Sequence, residues 1–216
     1  ESLNGKPCWI GVDMSTTTDL TAVVACWRDG DDDDSYIVHP WFFVPEDNLQ
    51  GRADRDKVPY PRWAREGFIN PTPGNVIDYA SVEALIRDLC SRFDVREIGF
   101  DKAYAQPVMG PLLDDGFPVV VIQQGWVTQA PAVRELERAI VGRKFRHGGH
   151  PVLRWCFENV AIHTDAVGNR TMHKGKSIDR IDGAVATWMA VSRAAAGESG
   201  ISVYSTDDRP EGILVI

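Results

Sequence analysis

Two short apolar runs in this chain end in an aspartate, and the segments around them restrict the fold. Cys8–Val12 leads into Asp13, and Val95–Phe100 leads into Asp101. Both runs are typical of buried strands. Two more strand-like segments follow the first run, and an amphipathic helical pattern precedes the second. In that order the strand ending at Asp101 lies beside and parallel to the first strand, so the two aspartates are expected at one edge of a sheet.

The pattern of the whole chain predicts an α/β fold, a mixed sheet with helices on both faces. Strands are predicted at residues 8–13, 20–27, 36–44, 95–101 and 119–122. The first three form an antiparallel meander, with the acidic run Asp31–Asp34 in a solvated turn. Helices are predicted at residues 62–66, 78–93, 106–115, 130–141, 151–159 and 182–196, and a β-hairpin is predicted at 162–174 before the last helix.

Two of these helices have more detailed predictions. Asp78 is the expected N-cap of the helix whose apolar face carries Val82, Leu85, Ile86, Leu89 and Phe93. In the 130–141 helix, Pro131 is expected in the first turn. Its buried stripe is predicted to be Val133, Leu136, Ile140 and Val141.

Length and composition favour one domain. The chain has 216 residues, of which 44% are apolar, enough for a sizeable core. We expect residues 1–196 to form this domain, with 45–75 as an ordered excursion rich in Pro and Gly. Residues 197–216 show no clear pattern and are expected to be a flexible or docking tail.

The sequence indicates a cytosolic protein. No apolar run approaches the roughly 20 residues of a membrane span, and the first residues are not typical of a signal peptide. The four cysteines are far apart, as expected for reduced thiols. The net charge is −8, yet residues 132–181 carry ten Lys and Arg against five Asp and Glu. This basic half suits DNA binding, although a mixed-charge surface explains it equally well.

A third aspartate, Asp182, stands at the head of the last helix, and that helix can pack over the edge that holds Asp13 and Asp101. Three carboxylates at one point form an all-oxygen site for hard divalent cations, the chemistry of two-metal phosphodiester cleavage with Mg²⁺ or Mn²⁺. Asp179 is a candidate for an alternate ligand or for a residue that supports a metal ligand from behind, and Asp19 is a weaker candidate.

Each aspartate also has a simpler interpretation. Asp13 could accept hydrogen bonds in the turn that follows, Asp182 could be a helix N-cap, and Asp101 could pair with Lys102. The lysines Lys174 and Lys176 could stabilise a phosphate or simply be solvated. His147 and His150 flank a glycine pair, but no third ligand has a spacing suited to a transition metal.

At these residues the sequence resembles the C-terminal nuclease domain of the large terminase subunit of tailed phages. The resemblance spans nearly the whole chain. It rests on Gly11–Ser15 with Thr18–Ala22, Gly99–Asp101, Arg146–Leu153 with Asn159-Val160, and Lys174 through Asp182 to Ala190.

The resemblance implies a ribonuclease H-like fold and metal-dependent cleavage of double-stranded, concatemeric viral DNA. It assigns the acidic site to Asp13, Asp101 and Asp182 and the metals to Mg²⁺ or Mn²⁺, with two ions expected. Arg170, Arg146 and the two lysines are the expected DNA-binding or phosphate-stabilising residues. Some members carry Glu in place of Asp101.

Whole large terminases also carry an N-terminal ATPase motor, and they act with a small subunit and a portal in the cytoplasm of the infected bacterium. This chain starts almost at the first strand, so we expect an excised domain that uses no nucleotide. Its nearest match to a phosphate loop is Gly168 with Gly175-Lys176-Ser177. That match fails, because the first glycine is two residues too far away.

Other interpretations remain open at this point. A junction resolvase, a transposase or an RNA–DNA hybrid nuclease could use the same acidic triad. The stretch Asp13-Met14-Ser15-Thr16-Thr17 also resembles the phosphate-binding hairpin of actin-like proteins. A non-enzymatic docking module with a vestigial metal site is a third possibility.

Overall fold

The computed structural model of the protein describes residues 3–15, 20–29, 32–102, 104–177 and 179–197. Within these residues the strands are β1 Pro7–Asp13, β2 Thr21–Asp29, β3 Asp32–Pro45, β4 Asn70–Thr72, β5 Asp94–Asp101, β6 Val119–Ile122, β7 Phe145–Arg146, β8 Ile162–Thr164 and β9 Arg170–Met172. The α-helices are α1 Leu49–Asp56, α2 Tyr60–Arg65, α3 Tyr79–Arg92, α4 Gln106–Asp114, α5 Trp126–Val141, α6 Pro151–Glu158 and α7 Asp182–Ala196. A short 3₁₀ helix covers Lys174–Lys176.

The main sheet is mixed, and it confirms the predicted fold class. Its strands follow the order β4-β3-β2-β1-β5-β6, with β7 pairing with β3. The meander β1-β2-β3 is antiparallel, whereas β5 is parallel to β1 and β6 is parallel to β5. The separate β8-β9 hairpin precedes the last helix, as predicted.

Helices cover both faces of the sheet, and each face has its own apolar core. On one face α3 and α4 pack against the sheet through residues such as Val82, Ile86 and Val108. On the other face α5, α6 and α7 pack against it, with Trp188 and Leu153 among the buried side chains. Alternate residues of a strand therefore belong to different cores.

Helix α7 lies with its backbone directly against β1. A Cβ atom at Gly11 would lie 2.1 Å from the carbonyl oxygen of Ala186 and 2.8 Å from the amide nitrogen of Ala190. These distances are far below van der Waals contact, so only glycine permits this approach. The small residue at position 11 thus fixes how closely the helix approaches the sheet.

The other end of α7 is tied to the opposite end of the same strands. Arg193 forms an ion pair with Glu97 of β5, with Nη2 2.8 Å from Oε1. Arg28 of β2 donates from Nε to the carbonyl oxygen of Ala194 at 2.9 Å. Helix α7 therefore runs antiparallel to β1, and its first residues lie near the carboxyl end of that strand.

The excursion at 45–75 is more ordered than the sequence predicts. Beside the expected helix, here α2, it contains helix α1 and strand β4, which pairs with β3. The α1 sequence has a glycine and only two apolar side chains, Leu49 and Ala53, so its pattern does not indicate a helix. Ala53 and Asp56 of this helix are both buried, so tertiary contacts stabilise a helix that the local pattern does not predict.

The prediction for α5 was wrong at its start and on part of its stripe. The helix begins at Trp126, which places Pro131 in the second turn. Because Val127, four residues before the proline, is 80% exposed, the missing backbone hydrogen bond falls on the solvent side. Val133 and Leu136 are buried as predicted, but Ile140 and Val141 are exposed.

Two smaller predictions also change. Asp32, expected in the turn of the acidic run, already pairs with Asp29 as the first residue of β3. The strand β7 was not predicted, since two residues give no periodic signal. Residues 198–216 of the predicted tail lie outside the described part of the chain, and so does Asp19.

His150 is the N-cap residue of helix α6. Its Nδ1 accepts a hydrogen bond from the backbone N–H of Leu153 at 3.4 Å. Its ring packs against Phe42 and Phe68, with centroids 5.5 Å and 5.1 Å away. Burial lowers the pKa of His150 to about 4, and the charges of His39 and His147 add to this effect.

The contact between Gly11 and α7 can be tested by adding one methyl group. Gly11→Ala forces that group into the helix backbone, so we expect the free energy of unfolding to fall by more than about 3 kcal/mol. At Gly110 in α4 the nearest atom to an added Cβ is 4.0 Å away. Gly110→Ala should therefore leave stability equal or raise it by up to about 1 kcal/mol. Urea unfolding of both variants would contradict the packing argument if their changes were equal.

The environment of His150 predicts a pH dependence of stability. Its folded pKa is below the ordinary value of 6.5, so between pH 6.5 and about 4 the unfolded chain binds more protons. Its contribution to stability is therefore lost as the pH falls through this range. His150→Asn keeps a capping side chain but does not titrate. We expect the wild type to lose more stability than this variant between pH 7 and pH 5 in urea titrations. Equal losses would show that His150 is not responsible.

Candidate functional site

Asp13 is the last residue of β1 and is only 2% exposed. It lies two residues after Gly11, whose α-carbon faces α7. Because side chains of a strand alternate between the two faces, Asp13 also lies on the α7 face of the sheet. The intervening Val12 is buried in the opposite core. The carboxylate is thus held at the carboxyl end of a central strand.

Asp101 takes the matching position on the neighbouring strand. It ends β5, and Val12 pairs with Phe100 in the parallel register, so Asp13 and Asp101 are the next residues along. Adjacent strands lie about 4.8 Å apart. Glu97, four residues earlier on β5, contacts Arg193 of α7, which places Asp101 on the same face. Asp101 is partly exposed. The register therefore confirms the prediction that Asp13 and Asp101 lie at the same edge of the sheet.

Asp182 reaches the same level from the helix side. It is the first residue of α7 and lies four residues before Ala186, about 6 Å of helix rise. Asp13 lies two residues beyond Gly11, about 6.6 Å of strand rise. Since α7 runs antiparallel to β1, both steps go in the same direction from the Gly11–Ala186 contact. Asp182 is therefore approximately level with Asp13.

The simpler interpretation of Asp182 as a helix cap does not hold. The N-cap position of α7 is Ile181, which makes no side-chain capping hydrogen bond, and Asp182 is the first residue inside the helix. Asp182 is 6% exposed, so its charge is buried in the first turn. The positive end of the helix dipole favours a carboxylate there.

The pKa of one buried thiol responds to several of these acids. Cys156 of α6 is fully buried, and burial is the main cause that raises the pKa of its thiol well above the usual value. The charges of Asp182, Asp13 and Asp179 raise it further. Three of the predicted site residues thus act electrostatically on one side chain.

Asp179 lies before α7, in the segment that leads from the 3₁₀ helix. Burial raises the pKa of Asp179. The backbone N–H of Arg180 counteracts this shift, while the nearby charge of Asp56 increases it. Nε of Arg180 lies 3.8 Å from Oδ1 of Asp179. Asp179 is accordingly a neighbour of the acidic site that already has a cationic partner.

Among the described residues, no three His, Cys, Asp or Glu side chains form a ready-made metal cage. The three aspartates nevertheless share one edge and one face of the sheet, and two of them are buried. They offer only carboxylate oxygens, the donors that hard divalent cations prefer. Buried like charges also favour a nearby cation. The donor set therefore fits a hard divalent metal ion.

The predicted phosphate-binding cations lie in different places. The backbone of Lys174 and Lys176 forms the 3₁₀ helix between the hairpin and α7, and the side chain of Lys176 is exposed. Arg170 of β9 forms an ion pair with Glu137 of α5, and both side chains are about half exposed. The lysine segment and the hairpin thus adjoin the segment that carries Asp179 and Asp182.

Arg146 lies near the opposite ends of the strands, away from the ends that carry Asp13 and Asp101. Its Nη2 is 2.7 Å from Oδ2 of Asp29, the last residue of β2. Because β2 is antiparallel to β1 and its Ala22 pairs with Asp13, Asp29 lies at the other end. The structure therefore does not bring Arg146 together with the three aspartates.

One further group beside this site has no signal in the sequence. Asp56, at the end of α1, is buried and lies 3.5 Å from Nε of Arg180. In the sequence it appears as one more charge in a polar segment. Only the tertiary contact with the residue two positions before Asp182 distinguishes it.

No helix in the described part of the chain has the length and apolarity needed to cross a membrane.

The family model for the terminase large subunit endonuclease domain matches residues 1–198. The chain is 38% identical over 192 residues to the large terminase subunit of Enterobacteria phage HK97, covering 88% of this chain and 38% of that protein. It is 28% identical over 202 residues to protein YmfN of Escherichia coli K12, covering 90% of this chain and 44% of YmfN. The chain therefore spans about two fifths of the length of these relatives.

Comparison with solved structures also finds large terminases. The crystal structure of the HK97 large terminase matches with a TM-score of 0.80 at 35% identity, over 89% of this chain and 40% of that one. The magnesium-bound large terminase nuclease of thermophilic phage G20c matches with a TM-score of 0.55 at 11% identity. That match covers 88% of this chain and 84% of the G20c chain, and at this identity it supports the fold alone.

Proposed function

This chain belongs to the family of terminase large subunit endonuclease domains, and we propose that it is a metal-dependent endonuclease that cleaves double-stranded concatemeric viral DNA during phage genome packaging. The observation that carries the proposal is the placement of Asp13, Asp101 and Asp182 at one edge and on one face of the sheet. These are the residues to which the sequence assigns the acidic site.

The proposed role of the three aspartates is to hold divalent cations next to the scissile phosphate. Asp13 and Asp101 come from adjacent strands, and Asp182 comes from the helix packed against them. Two bound Mg²⁺ or Mn²⁺ ions would supply activation of water and stabilisation of the leaving oxygen. The protein's contribution is a rigid, partly buried set of carboxylates that orders these donors before the substrate binds.

The choice of metal follows from the donor set and agrees with a structural relative. The three proposed ligands are all carboxylates, which suit Mg²⁺ or Mn²⁺ and disfavour softer metals. The G20c nuclease, which shares the fold, was crystallised with magnesium. We propose Mg²⁺ or Mn²⁺, with two ions, for this chain.

DNA binding is assigned to the surface beside the acidic edge. The hairpin β8-β9 with Arg170, and the 3₁₀ segment with Lys174 and Lys176, form the proposed phosphate-binding region. The exposed ion pair of Arg170 with Glu137 can be exchanged for a phosphate at little cost, because exposed pairs contribute little to stability. Such contacts give affinity without sequence preference.

The wider setting also belongs to the proposal. The matched relatives are more than twice as long as this chain. We propose that the domain works beside an ATPase domain, with a small terminase subunit and a portal as partners, in the cytoplasm of the infected bacterium. Within this arrangement the nuclease uses no nucleotide of its own.

The proposal is tested by cleavage of supercoiled plasmid with the 216-residue chain. In Mn²⁺ at low salt we expect nicked and linear products, and none in EDTA. Activity should fall steeply as salt rises, because phosphate contacts carry the affinity. Cleavage that persists in EDTA would exclude the metal assignment. Faster cleavage of a four-way junction or an RNA–DNA hybrid than of plain duplex would favour the alternative nucleases.

The acidic site is tested by Asp182→Asn. Loss of a proposed metal ligand should reduce the cleavage rate more than about 100-fold. Mutation of residues that only support a metal ligand usually costs about 10- to 100-fold. Without metal the melting temperature should stay equal or rise, because the substitution removes a buried charge next to other acids. Asp114→Asn, at an exposed position in α4, is the matched control and should retain full activity. Wild-type activity in Asp182→Asn would remove this residue from the site.

A further inference from the structure

The buried carboxylate Asp56 belongs to an ordered network within the 45–75 excursion. Its side chain is 4% exposed. Oδ1 accepts a hydrogen bond from Nε of Arg55 at 2.6 Å, and Oδ2 accepts one from the hydroxyl of Tyr60 at 2.9 Å. Tyr60 is itself 1% exposed. The carboxylate is therefore fixed in orientation and cannot turn toward solvent.

This network extends to the segment that leads into α7. Nε of Arg180 lies 3.5 Å from Oδ2 of Asp56. From the other side, Nδ2 of Asn159, at the end of α6, donates to the carbonyl oxygen of Arg180 at 3.2 Å. Arg180 is held by its side chain and by its backbone, and Asp182 follows only two residues later.

The position of Asp56 is unfavourable for stability by itself. It is the last residue of α1, where the negative end of the helix dipole opposes another negative charge. Burial raises the pKa of Asp56, but the hydrogen bonds from Arg55 and Tyr60 and the charge of Arg180 outweigh it and lower the pKa. Buried ion pairs seldom stabilise a fold more than apolar residues would. Such a group is better explained by the geometry that it fixes.

The excursion is also firmly attached to the helix behind the acidic site. The rings of Tyr60, Trp63 and Trp155 contact one another pairwise, with centroids 5.8 to 6.0 Å apart. Trp155 belongs to α6, and the next residue, Cys156, is fully buried, where the charges of Asp182 and Asp13 raise the pKa of its thiol. The excursion thus contacts both the helix behind the acids and the segment that supplies one of them.

We propose that Asp56 is a positioning residue, which through Arg180 holds the segment before α7 in the conformation that lets Asp182 bind metal. The proposal rests on the function proposed above. In this view the 45–75 excursion is part of the metal site's support, because Asp56 acts through Arg180 and is not itself a proposed ligand. Removal of the carboxylate should loosen the segment and weaken metal binding, while the acids themselves remain.

The test compares Asp56→Asn with a matched variant of the same excursion. Glu66→Gln also removes a carboxylate from an ion pair, with Arg62, but at an exposed site. Mn²⁺ binding is measured by electron paramagnetic resonance without DNA, and plasmid cleavage is measured against Mn²⁺ concentration. We expect Asp56→Asn to raise the Mn²⁺ midpoint about tenfold, the lower end for groups behind a metal ligand. Cleavage should recover at saturating Mn²⁺, and Glu66→Gln should match the wild type.

A second variant guards against a general folding defect. Tyr60→Phe keeps the aromatic contacts and removes only the hydroxyl that donates to Asp56, so it should shift the midpoint in the same direction by less. In the metal-free protein, hydrogen exchange in the segment before α7 should be faster in Asp56→Asn and Tyr60→Phe than in the wild type. A buried change on the opposite face, Val82→Ala, should lower the melting temperature but leave the Mn²⁺ midpoint unchanged.

The outcomes separate the two proposals. If the wild type neither binds Mn²⁺ nor cleaves DNA, the proposed function fails and the positioning role fails with it. If the wild type does both while Asp56→Asn has the wild-type midpoint, only the positioning role is overturned. The role is equally overturned if Val82→Ala shifts the midpoint as much as Asp56→Asn does, because the shift would then follow stability alone.

Discussion

The contact of the α7 backbone with Gly11 sets the geometry on which the rest of the site depends. A helix is normally separated from the sheet on which it packs by the side chains between them. Here no side chain stands between β1 and the helix at this point. The ion pair of Arg193 with Glu97 fixes the direction of the helix. Together these contacts place the first turn of α7 next to the carboxyl ends of β1 and β5.

Acidic groups accumulate where this packing brings the elements together. Asp13 and Asp182 are buried, and Asp179 and Asp56 are close by. Burial of like charges opposes folding, so the apolar cores on both faces must supply the stability. In the role proposed for Asp56, its carboxylate is paired with Arg55 and lies 3.5 Å from Arg180, which stands two residues before Asp182. The clustered carboxylates lower the stability of the metal-free protein, and the same cluster is suited to holding a cation.

Regular elements with a clear period were predicted well, and those without one were not. The apolar strands β1 and β5 and the helix α3, with Asp78 as its cap, lie where the sequence placed them. Helix α1 was missed because it is short and only Leu49 and Ala53 carry apolar side chains. The start of α5 was misplaced because Pro131 normally marks a first turn, and here an exposed position four residues earlier tolerates it inside the helix.

The sequence by itself determined the α/β class and the three aspartates as candidates, because strand ends and helix starts are local signals. It also determined that two of them share an edge, since the order of strands restricts the sheet topology. The position of Asp182 next to these two aspartates was decided only by tertiary packing, because it depends on which residues of α7 contact Gly11. The same holds for Asp56, whose contact with Arg180 joins residues 124 positions apart in the chain. Local patterns carry no information about such distant contacts, because they depend on how whole elements pack.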